Sequence, residues 1–150
     1  ALSTLRIEMG HVAGSELDGR TIPYDNSLEG LVSKKKDFIG KRSLNREAFV
    51  VKDRQKVVGV VPIDKKTIIP EGSHLVKDAN AKLPNPKLGH ISASCWSVEY
   101  NNPFSLAILH DGKNMTGKKL FALSPLKNKS IPVEIVSSHY VDPKGERVRS

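Results

Sequence analysis

Val57-Val58-Gly59-Val60-Val61-Pro62 is the stretch of the chain that decides the fold. Four valines make a short apolar run, and Pro62 closes it. Branched side chains fit a pleated backbone, so a run of this length bounded by proline is typical of a buried strand. The stretch therefore predicts that the second half of the chain is built from β-strands.

Further apolar runs follow this strand, and turn formers such as Asp111-Gly112 separate them. Pro70 and Gly72 place a turn before a short strand that ends at Val76. Further strands are expected within residues 88–98, 104–109, 119–123 and 131–136, with a polar loop at 80–87. About six short strands in roughly 85 residues indicate a closed antiparallel barrel, so the predicted fold class is mainly β.

The first part of the chain has a weaker pattern. Turn formers dominate residues 11–26, which we expect to form a loop. Residues 28–32 favour a strand or one helical turn, and Asp37 is placed to cap a short helix. That helix would carry Phe38, Ile39, Arg42 and Leu44. The boundary between the two halves is expected near residues 45–53.

One carboxylate stands out in the first half. In Leu5-Arg6-Ile7-Glu8-Met9-Gly10, the apolar Leu5 and Ile7 alternate with charged residues. If both apolar residues face a core, Glu8 lies at its margin, where a buried acid needs hydrogen-bond donors. The alternative is an exposed Glu8 that ends a helix or a strand.

Composition limits the classes of function. The chain has 150 residues, enough for one domain or a small domain with a piece of another, and a net charge of +8. An excess of positive charge suits an anionic partner such as nucleic acid, a phosphorylated cofactor or a polycarboxylate. The single cysteine, Cys95, favours a reducing compartment, and its predicted strand makes it a small buried residue beside Ile91 and Ala93. With no membrane-spanning run and no signal-peptide pattern, a cytoplasmic protein is expected, and the start at Ala1 suggests a fragment.

No catalytic or metal-binding motif emerges from the residues themselves. The five histidines are scattered without metal-ligand spacing, and there is no nucleophile elbow or phosphate-binding glycine loop. The basic run at residues 34–36 is either a solvated face or a binding site for carboxylate or phosphate groups. Nucleic acid is not expected as a partner, because the strands lack the interleaved aromatics that base stacking requires and Trp96 stands alone.

Several motifs resemble one known family. The stretch at residues 5–10 resembles the Leu-Arg-Leu-Glu-x-Gly motif of the folate-dependent aminomethyltransferases, which include the glycine-cleavage T-protein. Ser33-Lys34-Lys35-Lys36-Asp37-Phe38-Ile39-Gly40-Lys41-Arg42-Ser43-Leu44 is more similar to the branch found in the alpha subunit of heterotetrameric sarcosine oxidase. Pro70-Glu71-Gly72, Leu88-Gly89-His90-Ile91, Ser94-x-Trp96-Ser97 and the ending Tyr140-Val141-Asp142-Pro143-Lys144-Gly145-Glu146-Arg147 also match that branch.

This resemblance implies a domain organisation. Residues 1–44 would be an α+β remnant, the end of the folate-binding aminomethyltransferase domain, and residues 45–54 a linker. Residues 55–150 would form the six-stranded C-terminal β-barrel of the family. The chain would then be the C-terminal part of an oxidase alpha subunit, inactive alone. Flavin and NAD would bind only in the rest of the complex, which would include the other subunits of the heterotetramer.

The resemblance also implies a cofactor and three binding residues. Tetrahydrofolate would accept the one-carbon unit released when sarcosine is oxidatively demethylated to glycine. Glu8 matches the family glutamate that accepts hydrogen bonds from the pterin, and Lys36 matches a basic residue that binds the folate tail. Tyr140 lies in the segment that closes over the family site. One difference is that Gly30-Leu31 stands where an aromatic residue is common in aminomethyltransferases.

Two other assignments remain open at this point. The chain could be a fragment of a T-protein-like aminomethyltransferase or of a dimethylglycine dehydrogenase. It could also be a barrel of the same family that only docks subunits to one another and has no catalytic role.

Overall fold

A computed structural model describes residues 1–80 and 87–149. Most of the polar loop predicted at residues 80–87 lies outside this range. The described part contains a six-stranded barrel, preceded by residues 1–54, which we call the leading segment, and followed by a short C-terminal tail. No described helix is long and apolar enough to cross a membrane.

The predicted barrel is confirmed. Its strands pair antiparallel and close in the order β1-β4-β3-β2-β5-β6, so β1 contacts both β4 and β6. The six strands are β1 (Lys56–Pro62), β2 (His74–Val76), β3 (Gly89–Ser97), β4 (Asn102–Leu109), β5 (Lys119–Ser124) and β6 (Lys129–Val136).

All six strands contribute to one buried cluster inside the barrel, which we call the interior cluster. β1 contributes Val58 and Val60 and β4 contributes Ala107 and Leu109. The other members are Ile69, Leu75, Ile91, Met115, Leu120, Ala122, Ile131, Val133 and Ile135. Side chains of successive residues point to opposite faces of a strand, so the remaining valines of β1, Val57 and Val61, must be buried elsewhere.

A second cluster, the outer cluster, buries the opposite face of β1, β3 and β4 beneath helix α1 (Leu2–Glu8). Ile7 of the helix packs there with Val57, Val61, Ala93, Cys95, Phe104, Leu106 and Ile108. β1 is thus covered on both faces, which explains its continuous run of valines. The predicted common face of Ile91, Ala93 and Cys95 is wrong, because the pairing register shifts between Ile91 and Ala93 and places Ile91 in the interior cluster.

The leading segment holds α1 and four 3-10 turns, and it contains no strand. The turns span Gly14–Glu16, Glu29–Leu31, Ser43–Asn45 and Glu47–Phe49. Of the two alternatives for residues 28–32, a strand or one helical turn, the structure has the turn. The β part of the expected α+β remnant is absent from the segment.

The helix predicted after Asp37 is wrong. The stretch forms turns, among them the 3-10 turn at Ser43–Asn45, and Ile39 is fully exposed. An amphipathic helix is stabilised mainly by burying its apolar face, and here Phe38 and Ile39 stay exposed. Leu5 is also exposed although Ile7 is buried, because two residues that are two positions apart on a helix point in different directions.

Polar contacts tie the leading segment to the barrel. Asp25 is buried and forms a salt bridge with Arg54, and its carboxylate also accepts a hydrogen bond from the Ile22 N–H at 3.0 Å. The Asp25 carbonyl accepts a hydrogen bond of 2.7 Å from the Val57 N–H at the start of β1. These bonds fix where the chain enters the first strand.

Candidate functional site

Glu8 is buried at the C-terminal end of α1, with 6% of its surface exposed. Its Oε1 accepts a hydrogen bond of 3.0 Å from the Val98 N–H, in the turn between β3 and β4. A carboxylate is disfavoured at the negative end of a helix, and burial costs it hydration as well. Of the two alternatives for Glu8, a buried acid at the margin of a core or an exposed residue at the end of an element, the structure has the buried acid, although Leu5 is exposed and Ile7 alone faces the core.

Tyr140 lies beside Glu8. The backbone N–H groups of Tyr140 and Val141 donate to the Glu8 carbonyl oxygen at 3.2 and 3.0 Å. The Tyr140 ring stacks on Phe104, with 4.2 Å between centroids, and its hydroxyl accepts a hydrogen bond of 3.1 Å from the Asn102 amide. The chain after β6 therefore returns to the end of α1 and places these two predicted site residues together.

The turn between β3 and β4 supplies residues that the sequence analysis did not single out. Val98 is the donor to Glu8, and the half-exposed Tyr100 places its ring 4.6 Å from that of Tyr140. We call Glu8, Val98, Tyr100, Asn102 and Tyr140 the hairpin corner. A signal was present in Tyr100-Asn101-Asn102, since asparagine readily adopts the left-handed conformation that tight turns need, and Asn101 has a φ of 50°.

The C-terminal tail is attached to this corner. The Arg147 guanidinium donates a 2.6 Å hydrogen bond to the Glu99 carboxylate, between Val98 and Tyr100. This hydrogen bond and the positive charge of Arg147 lower the pKa of Glu99. Residues 140–149, which include helix α2 (Glu146–Arg149), thus contact the corner at Glu8 and at Glu99.

Lys36 lies elsewhere. It is exposed and lines an apolar cleft of about 400 Å³ together with Leu31, Phe38 and Leu44. The cleft lining includes neither Glu8 nor Tyr140. The Lys36 backbone is fixed by a 2.9 Å bond from its N–H to the Ser33 hydroxyl. The structure thus brings together two of the three predicted site residues and leaves the third in a separate cleft.

The reactive side chains near the corner are poor nucleophiles or ligands. Burial raises the pKa of the Cys95 thiol to about 11, and the nearby Glu8 carboxylate adds to the effect. A thiol with so high a pKa stays protonated near neutral pH and is inert. Within residues 1–80 and 87–149, no group of three or more His, Cys, Asp or Glu residues could hold a metal ion.

Known proteins match this chain over nearly its whole length. "Sarcosine oxidase subunit alpha" of Rhizobium meliloti (strain 1021) is 38% identical over 149 residues, which cover 98% of this chain and 15% of that protein. The protein of the same name from Corynebacterium sp. (strain U-96) is 35% identical over 97% of this chain and 15% of its own length. The chain thus spans about 15% of the length of these curated relatives. No family model matches it.

A solved structure shows the same fold. The glycine cleavage system aminomethyltransferase T from Bartonella henselae aligns with a TM-score of 0.71 and 20% identity, over 93% of this chain and 38% of that one. The sequence and fold comparisons agree with the resemblance derived from the motifs. The chain is therefore homologous to one segment of the sarcosine oxidase alpha subunits, and it has the fold of aminomethyltransferase T.

Proposed function

We propose that this chain forms part of the tetrahydrofolate site of a sarcosine oxidase alpha subunit. The observation that carries the proposal is the buried carboxylate of Glu8, held at a helix end by one backbone N–H. Such a group is costly to bury, so a fold that keeps it there suggests a ligand with matching donors. Bound tetrahydrofolate would accept the one-carbon unit released in the oxidative demethylation of sarcosine to glycine.

The donor set of a pterin suits this corner. A pterin presents an amino group and a ring N–H side by side, and a carboxylate can accept about four hydrogen bonds on its two oxygens. Among the described residues, Val98 is the donor to the Glu8 carboxylate, so acceptor capacity remains for a ligand. The half-exposed Tyr100 offers a ring for stacking on the pterin. It would take the role of the aromatic residue that is common in aminomethyltransferases and is absent here, where Gly30-Leu31 stands.

The other two site residues would have different tasks. Tyr140 would position Glu8, because its backbone N–H bonds to the Glu8 carbonyl and its ring is fixed on Phe104. Lys36, exposed at the edge of its cleft, would attract the carboxylates of the folate tail. Flavin, NAD and the other subunits would belong to the rest of a cytoplasmic complex, where the amine is oxidised.

A subunit-docking role is the second candidate, and a different observation favours it. Large apolar side chains of the leading segment are exposed, namely Leu2, Leu5, Leu31 and Ile39. Exposed large apolar side chains of this kind are typical of a surface that packs against another protein. In this case the barrel would contribute structure to the enzyme and bind no folate.

Replacing Glu8 by Gln in the complete enzyme tests the folate proposal. The substitution keeps the shape and changes one acceptor oxygen into a donor group, which would face the pterin donors. Loss of a charge-assisted pair should weaken folate binding by roughly ten- to a hundredfold, measured by calorimetry.

Glu71→Gln is the matched control. The Glu71 carboxylate also accepts a backbone hydrogen bond from the β3 region, 3.1 Å from the Ser94 N–H, but lies outside the hairpin corner. The Glu71→Gln substitution should leave folate affinity unchanged. Equal folate affinity in Glu8→Gln and the parent enzyme would exclude the folate site and leave subunit docking as the function.

A further inference from the structure

A small cavity of about 200 Å³, lined by both apolar and polar residues, lies between the leading segment, β1 and the chain that follows β6. It is separate from the hairpin corner and from the cleft of Lys36. Its polar lining includes Ser27, Lys56, Lys113, Thr116, Ser138 and His139. Pockets that enclose drug-sized ligands measure roughly 300–1,000 Å³, so this cavity suits a much smaller molecule.

The lining is rich in hydrogen-bond donors and positive charge. Two lysines and several residues with hydroxyl groups line the cavity, and none of the described residues that line it is an Asp or a Glu. Lys56 is paired with the Glu29 carboxylate at 3.0 Å, outside the lining, which offsets part of its charge. The positive charge of Lys113 also interacts with the Glu29 carboxylate, so the two lysines and this one carboxylate leave a net charge of +1 beside the cavity, which attracts an anion.

Close packing fixes one wall of the cavity. A Cβ at Gly59 of β1 would lie 2.2 Å from the Ser137 carbonyl oxygen, and one at Gly10 would lie 2.5 Å from that of Ser138. Only glycine permits such approaches, so the backbone of these two serines is clamped from both sides. Ser138 is 5% exposed, with its Oγ 3.2 Å from Nδ1 of His139. Donors fixed before the ligand arrives lose little entropy on binding.

We propose that this cavity, the Lys113 pocket, binds a small tetrahedral oxyanion: inorganic phosphate or the phosphoryl group of a phosphomonoester. Tetrahedral oxyanions accept several hydrogen bonds and favour ammonium and hydroxyl donors. The Lys113 ammonium supplies the charge, and the Thr116 and Ser138 hydroxyls supply neutral donors. This site is independent of the proposed folate function, since it uses none of Glu8, Lys36 or Tyr140.

Calorimetric titration of the complete enzyme with inorganic phosphate tests the proposal, with chloride keeping the ionic strength constant. We expect saturable binding that Lys113→Gln weakens by about three- to tenfold, the range for an exposed charge in a hydrogen bond. Thr116→Val, at an exposed position, should weaken binding without removing charge. Lys66→Gln is the matched control, because it removes one exposed positive charge from a different loop.

A second titration with glycerol 3-phosphate distinguishes the two sources of the anion. If glycerol 3-phosphate binds more tightly than inorganic phosphate, the natural ligand is a phosphoryl group on a larger molecule. If it binds more weakly, the natural ligand is the free anion. The proposal is overturned if neither probe gives saturable heat. It is also overturned if Lys66→Gln weakens binding as much as Lys113→Gln, because binding would then reflect net charge alone.

Discussion

The barrel and the leading segment are held in place by different forces. The barrel is organised around the interior cluster, to which all six strands contribute. The leading segment buries few apolar side chains, chiefly Ile7 and Ile22. Apart from the packing of Ile7 in the outer cluster, its attachments to the barrel are chiefly polar and include the Glu29–Lys56 pair and the Asp25–Val57 and Glu8–Val98 hydrogen bonds.

This difference shows how one chain separates stability from recognition. Apolar burial is roughly proportional to area and has no direction, so it can maintain a barrel without specifying a site. Charged and hydrogen-bonded groups are directional, and the chain places them where the leading segment meets the barrel. The candidate folate corner and the Lys113 pocket both lie at that boundary.

Amide hydrogen exchange should reveal the largest contrast. Residues in β1 and β4 should exchange slowly, through global unfolding, whereas residues 1–30 should exchange through local opening. The rates should differ on the order of a thousandfold or more, because local opening needs much less free energy than unfolding. Equal protection of residues 1–30 and the barrel would show that the leading segment is as stable as the barrel.

A pair of leucine substitutions sharpens the same comparison. Leu109→Ala, in the interior cluster, should lower the free energy of unfolding by about 2–5 kcal/mol, because it leaves a cavity. Leu31→Ala, in the leading segment, removes the same atoms from a side chain that is 81% exposed. It should change the free energy by less than about 0.5 kcal/mol. Urea unfolding measures both, and similar losses would contradict the division into two regions.

A smaller effect is expected at Cys95, which packs with Ile7 where the two regions meet. Burial raises the pKa of the folded thiol to about 11, above its value of about 8.5 in an unfolded chain. The protonated thiol therefore favours folding, and its contribution is complete below pH 8.5 or so and lost as the pH rises towards 11.

Urea midpoints measured between pH 7 or so and pH 11 for the parent chain and Cys95→Ala should reveal this loss. Other groups titrate in both proteins and change their stability equally. The parent should therefore lose more stability than the variant over this range, because only the parent contains the Cys95 thiol. Parallel curves would mean that Cys95 is not protected by the outer cluster.

The sequence predicted strands correctly where both faces of the strand are buried, or where buried and exposed side chains alternate strictly. The valines of β1 predicted a strand because both of its faces are covered, and the turn formers around Gly72 and Asp111 divided the remaining strands correctly. Glu8 was identifiable as an unusual acid because apolar neighbours surround it. Its contact with Tyr140 could not be derived from spacing, since it depends on the path of the chain after β6.

The failures have physical causes. Helical spacing near Asp37 did not produce a helix, because propensity alone does not stabilise a short segment whose apolar side chains Phe38 and Ile39 stay exposed. The shift between Ile91 and Ala93 is a change of register that no alternation pattern predicts. The Lys113 pocket was missed because its lining comes from four separate stretches of the chain, each of them ordinary on its own.

The position of β1 between β4 and β6 also has a consequence for the order of folding. Val60 pairs with Ile135, at the far end of the barrel sequence, so the ring closes only when the last strand is available. Closing so long a loop costs entropy before any contact compensates, which slows folding. During synthesis the valine-rich first strand therefore waits, with its edge towards β6 unpaired, until the ribosome has released β6. In that interval the edge is open to pairing with other chains, so folding of the barrel should depend on chaperones.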